Sequence, residues 1–223
     1  YANLDTEEIR RFSSSYTRSE LEEWFAHLTE AYQKWAQMQL EWKTERKASI
    51  GKTVFPYPYR EGQKDLAAAV YRTIWHGKKL FIQAPTGVGK TLSTVFPAVQ
   101  AVGQELGDKI FYLTAKTITR TVAEEAFSLL KKQGLHYKVL TLTAKEKICF
   151  CEEPDCNPEK CPYARGHFDR VNDAVYELLT SYEENSANYS RERIMEQAEK
   201  WKVCPFEMAL DVSLWSDAII CDY

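Results

Sequence analysis

Nowhere does the sequence run to the roughly 18 unbroken apolar residues that a membrane-crossing helix needs. No charged-then-apolar leader opens it either. It lacks a basic excess: 29 Lys and Arg stand against 32 Asp and Glu, for a net charge of -3. Binding nucleic acid through overall charge is thereby excluded, so any such contact must come from local patches. Internal repeats and low-complexity tracts are missing too. The first residue is Tyr1 rather than Met, so the chain reads as a piece of something longer.

What is present suits a soluble globular chain of one large domain or two modest ones. It has 223 residues, 44% hydrophobic and 27% charged, enough for a buried core. Residues 18–46 read as one long amphipathic helix, with Leu21, Trp24, Phe25, Leu28, Tyr32 and Trp35 on one face. That face is expected to pack on a neighbouring domain. "VFPYPY" (54–59) is an aromatic, proline-interrupted extended stretch, and a helix follows at 61–76 with Leu66, Ala69, Val70 and Ile74 inward.

From there the pattern alternates. "KLFIQA" (79–84) reads as a strand, 91–106 as a helix, "KIFYLT" (109–114) as a strand, 117–132 as a helix and "YKVLTL" (137–142) as a strand. Strand and helix in alternation predict an α/β fold with a parallel sheet. Residues 145–167 break the period and are rich in Cys, Pro, Glu and Lys. Helices are expected at 168–184, at 191–202 behind an N-cap Ser190, and from Pro205, before a last strand, "AIIC" (218–221). The cysteine-bearing part is thus a small helical insertion in the α/β core.

"APTGVGKT" (84–91) follows a strand pattern and opens a helix pattern, the context that a phosphate-binding loop requires. Gly87 and Gly89 let the backbone of Thr86, Val88 and their neighbours turn its amides inward, and the helix N-terminus adds its dipole. Lys90 is placed to reach the β- and γ-phosphates of ATP, and the Thr91 hydroxyl to ligate Mg²⁺. Gln63 lies upstream with an amide that can pair with both edges of adenine.

Six cysteines in a chain with a nucleotide loop point to the reducing cytosol, where clustered thiols bind metal more often than they form disulfides. The pattern is Cys149-x-Cys151-x4-Cys156-x4-Cys161, with Cys204 far behind and Cys221 in an apolar strand, where a core role is expected. An iron–sulphur cluster and a four-thiolate zinc site make the same demand on these residues. Five cysteines for four positions leave one over, because Cys149 and Cys151 are too close together to serve one small centre comfortably. Tyr163 and Phe206, in "CPY" and "CPF", are candidate shields for such a centre.

Taken in order, these pieces resemble the iron–sulphur helicases of superfamily 2, the DinG-like and XPD-like DNA helicases. "FPYPYREGQ" looks like that family's Q motif, "APTGVGKT" like its motif I, "YLTAKTITRTVAEEA" like its motif Ia and "VCPFEMAL" like the segment carrying its last cluster ligand. The resemblance runs from about residue 54 to the end. It implies a RecA-like motor domain over 51–144, a 4Fe-4S cluster domain over 145–210 and a return strand at 211–223, behind a helical connector at 1–50. It places the cluster ligands on Cys149, Cys156, Cys161 and Cys204, adenine recognition on Gln63, and DNA-backbone contacts on Thr117, Arg120, Lys145 and Lys147.

The activity so implied is ATP-driven, 5′→3′ stepping on single-stranded DNA and opening of duplex junctions, in repair or replication. A second motor domain, and ahead of the helicase possibly a nuclease-like one, would complete the polypeptide. The family's acidic motif II is not matched: Asp222 follows apolar residues, but Tyr223 stands where a Glu is expected. The 223 residues by themselves are therefore expected not to turn over ATP. The rival reading is a zinc-stapled nucleotide-binding interaction module without unwinding; a metabolic kinase leaves "YLTAKTITRT" without a job.

Overall fold

The computed structural model describes residues 6–85, 87–115, 117–153, 155–181 and 188–222. The chain divides into two compact units, Tyr1–Leu40 and Glu41–Tyr223. The second unit thus begins ahead of the expected boundary at residue 51.

Helix α1 (Arg18–Lys52) runs through that division and extends past the expected end at 46. Its start is a reciprocal cap. Glu20 Oε2 accepts from the Thr17 amide (2.7 Å) and hydroxyl (2.8 Å), and the Glu20 amide donates to Thr17 Oγ1 (3.2 Å). In the first unit the apolar stripe of Leu21, Trp24, Phe25, Leu28 and Tyr32 is exposed.

In the second unit, residues 41–52 of α1 turn Trp42, Ser49 and Ile50 into the interior. Gln100 Nε2 donates to the carbonyls of Ile50 (3.3 Å) and Thr53 (3.1 Å). A Cβ on Gly103 would stand 2.5 Å from Ile50 Cγ2, so glycine there lets the two helices close. Helices α2 (Gln63–Trp75), α3 (Lys90–Gly103) and α4 (Thr117–Lys131) follow. On α2 the expected inward residues Leu66, Ala69, Val70 and Ile74 are half-buried, and Gln63 and Ala67 are the sealed ones.

Strands β1 (Ile110–Thr114), β2 (Val139–Thr141), β3 (Asn188–Tyr189) and β4 (Ala218–Asp222) form one parallel sheet in the order β1-β4-β2-β3. β4 is central and buried from Ala218 to Ile220, as an "AII" run between two neighbours should be. Phe127, Leu130, Tyr137, Val139 and Ile220 fill the core beneath the sheet. The α/β class and the parallel sheet are as the alternation predicts.

Three expectations are corrected. Residues 79–84 form no strand. A strand needs a hydrogen-bonding neighbour, none of the described strands pairs with this segment, and Phe81 is 93% exposed. The segment counted as a helical insertion gives the sheet a strand, because β3 pairs with β2 through Val139↔Asn188 and Leu140↔Tyr189. Cys221 is half-buried rather than a core residue, since β4 emerges toward Asp222 at its end.

The cysteine-bearing part is otherwise helical: α5 (Lys145–Ile148), α6 (His167–Thr180), α7 (Arg191–Trp201) and α8 (Pro205–Trp215). Ser190 caps α7 as expected, accepting from the Arg193 amide (3.4 Å). Val171, Ala174, Val175, Leu178 and Leu179 are the buried face of α6.

One carboxylate gathers the sheet's leading edge. Asp217, just ahead of β4, accepts from Arg46 Nη1 (2.5 Å), Trp42 Nε1 (2.9 Å) and the Lys138 amide (2.7 Å). Burial pushes the Asp217 pKa up and the Arg46 guanidinium opposes that rise. Replacing Arg46 with Met strands a buried charge and is expected to cost about 3–5 kcal/mol in urea unfolding; Arg46→Met/Asp217→Asn recovers part of it.

Lys131, at the end of α4, donates to Asn188 Oδ1 and is lowered by burial from 10.5 to about 7. The unfolded chain therefore holds more protons than the folded one between pH 7 and 10.5. Stability should rise with pH across that window, and less so in Lys131→Met, as read from urea midpoints at successive pH values.

Candidate functional site

The phosphate loop is built from two glycines in left-handed conformation, Gly87 (φ 85°) and Gly89 (φ 76°), with α3 beginning at Lys90. No side chain caps α3, so its first amides stay available for phosphate oxygens. Lys90 Nζ donates to the carbonyls of Ala84 and Pro85, both at 2.8 Å. Thr91 is half-buried beside it. Thr86 lies outside the described residues.

Gln63 is the buried pivot of this loop. Its Oε1 accepts the Arg60 amide (2.9 Å) and its Nε2 donates to the Val88 carbonyl (3.1 Å). Arg60 Nη1 donates to the Gly87 carbonyl (2.6 Å). Both arms of the Gln63 amide are thus spent on protein, tying the Tyr57–Arg60 segment to the phosphate loop. A Cβ on Gly89 would meet Gln63 Nε2 at 2.5 Å. Beside the loop lies a pocket of about 240 Å³, lined in part by Tyr57, Arg60, Gln63, Thr91, Val122 and Glu125.

The second site is a cavity of about 310 Å³ lined by Cys149, Cys151, Cys156, Cys161 and Cys204. All five clustered cysteines face it, including the one that spacing leaves over. The Cys151 thiol sits beside those of Cys161 and Cys149, and burial together with these neighbours pushes it up to about 11. Cys204 is the N-cap of α8; burial pushes its thiol up, while the Glu207 and Phe206 amides pull it down. Among the described residues, no three Cys, His, Asp or Glu side chains converge as the ligands of one metal ion.

Tyr163 and Phe206 line the cavity, as their "CPY" and "CPF" positions suggest. The Tyr163 hydroxyl donates to Glu199 Oε2 (2.5 Å), and its ring lies 4.6 Å from that of Phe150. Spacing did not single out Phe150, Phe168 and His167, which also line it.

The predicted nucleic-acid contacts separate. Lys147 is exposed, and its carbonyl accepts from Arg191 Nε (2.9 Å). Lys145 faces the cavity instead: Cys156, hydrogen-bonded to its ammonium, raises its pKa, and its Nζ lies 5.7 Å from the Phe206 ring centre. Arg120 is paired with Asp222, which ties the first turn of α4 to the end of β4. Thr117 is the first residue of α4.

Residues 61–150 match the DEAD/DEAH box helicase family. That stretch holds Gln63, the phosphate loop, Arg120 and Cys149, and ends before Cys156. The chain is also similar to a protein named as a probable ATP-dependent helicase of Methanocaldococcus jannaschii, 47% identical over 49 residues. Those residues are 22% of this chain and 8% of that protein. The helicase-like stretch contains the glycine-turned loop and its glutamine pivot. Among the described residues, no helix is long and apolar enough to cross a membrane.

Gly89→Ala tests the pivot. It strains a left-handed residue at about 1–3 kcal/mol and drives a methyl into Gln63. Affinity for a fluorescent ATP analogue is expected to fall about tenfold or more, with the far-ultraviolet circular dichroism unchanged.

Proposed function

We propose that the chain is part of an ATP-driven DNA helicase of the iron–sulphur superfamily 2 kind, DinG-like or XPD-like. In this reading residues 51–144 and 211–223 belong to the first RecA-like motor domain, 145–210 carry a 4Fe-4S cluster, and residues 1–50 lead in as a connector. The whole polypeptide, with a second motor domain, would step 5′→3′ along single-stranded DNA in the cytoplasm and open duplex junctions in repair or replication.

The carrying observation is that five cysteines ring one cavity, directly after a helicase-like stretch that ends at residue 150. A cluster would suit the site, whose five thiols line one space of about 310 Å³. A cubane presents several iron corners, one to each thiolate, and so uses that width; tetrahedral zinc needs all four sulphurs about 2.3 Å from one centre. Cys149, Cys156, Cys161 and Cys204 would hold the cluster, with Cys151 as the neighbour left over. When bound, it would supply covalent ties to an insertion with little core of its own.

The nucleotide chemistry rests on the loop. An arriving triphosphate offers Lys90 phosphate oxygens in exchange for the two carbonyls that it now holds, and Thr91 a bound Mg²⁺ to ligate. Gln63 would report adenine to the loop by giving up one of its two protein bonds. DNA phosphates would be met by Thr117 and Lys147, with Arg120 bracing α4 against Asp222 and Lys145 standing between backbone and cavity.

Protein purified without oxygen should be brown and contain iron and acid-labile sulphide in equal amounts. Zinc as the sole metal would sink the cluster reading. Cys149→Ser should lose the iron and Cys151→Ser should keep it; equal loss reverses the ligand assignment. In the full-length protein, Lys90→Ala should abolish DNA-stimulated ATP hydrolysis.

A further inference from the structure

We infer that His167 is the positioning residue for Cys204, holding the most distant cysteine on the cavity through that cysteine's backbone amide. This rests on the cluster reading above.

The geometry is local and closed. Gly166 turns the chain with φ 64°, so α6 opens on His167. The imidazole lines the cysteine cavity and is only 4% exposed. Its Nδ1 lies 3.2 Å from the Cys204 amide nitrogen. An amide can only donate, so Nδ1 carries the lone pair and the ring proton sits on Nε2.

One turn further along α6, Arg170 holds the same junction. Its Nε donates to the Trp201 carbonyl (2.9 Å) and its Nη2 to the Lys202 carbonyl (2.6 Å). A Cβ at Gly166 would stand 2.6 Å from Arg170 Nη1, so the turn that frees His167 also makes room for Arg170. Two side chains of one helix thereby engage the backbone at 201, 202 and 204, the short link between α7 and α8.

That link decides where the Cys204 sulphur goes. Cys204 is the N-cap of α8, and Pro205 behind it has no amide hydrogen to contribute. With its own amide given to His167, the Cys204 backbone is oriented from α6, and the thiol is presented to Cys149, Cys156 and Cys161 across the cavity. A hydrogen bond to ligand backbone acts on the metal centre through the ligand, in the manner of outer-shell partners whose loss costs about 10–100-fold in affinity.

The test compares three variants of the anaerobically purified holoprotein. His167→Asn puts an amide oxygen near the place of Nδ1; His167→Gln puts it near Nε2; His167→Ala has no acceptor. Iron release to a chelator and the electron paramagnetic resonance g-values of the dithionite-reduced protein are read on each. We expect release about tenfold faster and altered g-values for Ala and Gln, with Asn close to wild type. Three variants alike, whether all fast or all unchanged, overturn the inference. The Asn–Gln contrast decides it should Ala fail to fold. A wild type without iron and sulphide overturns the cluster reading, and this inference with it.

Discussion

The second unit hangs on the carboxylate of Asp217. It sits where four pieces of chain meet: α1 through Trp42 and Arg46, the approach to β2 through Lys138, the start of β1 through Ile110, and the start of β4, which it precedes. The Asp217 carbonyl accepts from the Ile110 amide (2.9 Å) and its amide donates to the Lys138 carbonyl (2.8 Å). Lys138 completes the group by setting its ammonium 4.3 Å from the centre of a Trp42 ring. A buried charge is tolerable only when its lone pairs are filled and a countercharge is close, and here both hold. The register of the central strand is set in the same place, because Ala218 faces both Ile110 and Val139.

The opposite ends of the strands lead to the candidate sites. β2 runs out through Thr141 into α5 and the first cysteines, and β4 ends at Asp222, which is held by Arg120. Ligand sites of open parallel sheets lie beyond the carboxyl ends of their strands, where the crossing connections leave room. The division of labour follows: the amino ends are stitched by buried polar bonds, and the carboxyl ends are left to loops. The glycine-turned loop sits in this scheme between α2 and α3, with Gln63 of α2 bonded to its Val88, rather than after a paired strand.

Much of this was legible from residue order. The alternation of strand and helix patterns predicted β1, α4 and β2 nearly to their ends, and Ser190 marked the start of α7, because these signals are local: side-chain periodicity and a hydroxyl that bonds an amide three residues on. The strand expected at 79–84 failed for the complementary reason. Its apolar residues announce an extended chain, but pairing depends on a neighbour that no local window contains. β3 was missed because two residues leave no periodic trace, and only the position of β2 makes them a strand. Adenine recognition by Gln63 was implied by the family resemblance; what no resemblance announced is that both ends of its amide bond to Arg60 and Val88.

By itself, then, the sequence determined the α/β class, the glycine-turned loop and the presence of four cysteines within residues 149–161, since each is written in composition and spacing. Tertiary structure decided which of these things meet. It placed Cys204 on the same cavity as Cys149–Cys161, set Cys151 beside them instead of apart, turned Lys145 toward thiols and Arg120 toward Asp222, and aimed a histidine that spacing never singled out at a cysteine's amide. The reason is physical. Residue type fixes what a side chain can bind, but the partner across a fold is chosen by packing, and packing is a property of the whole chain.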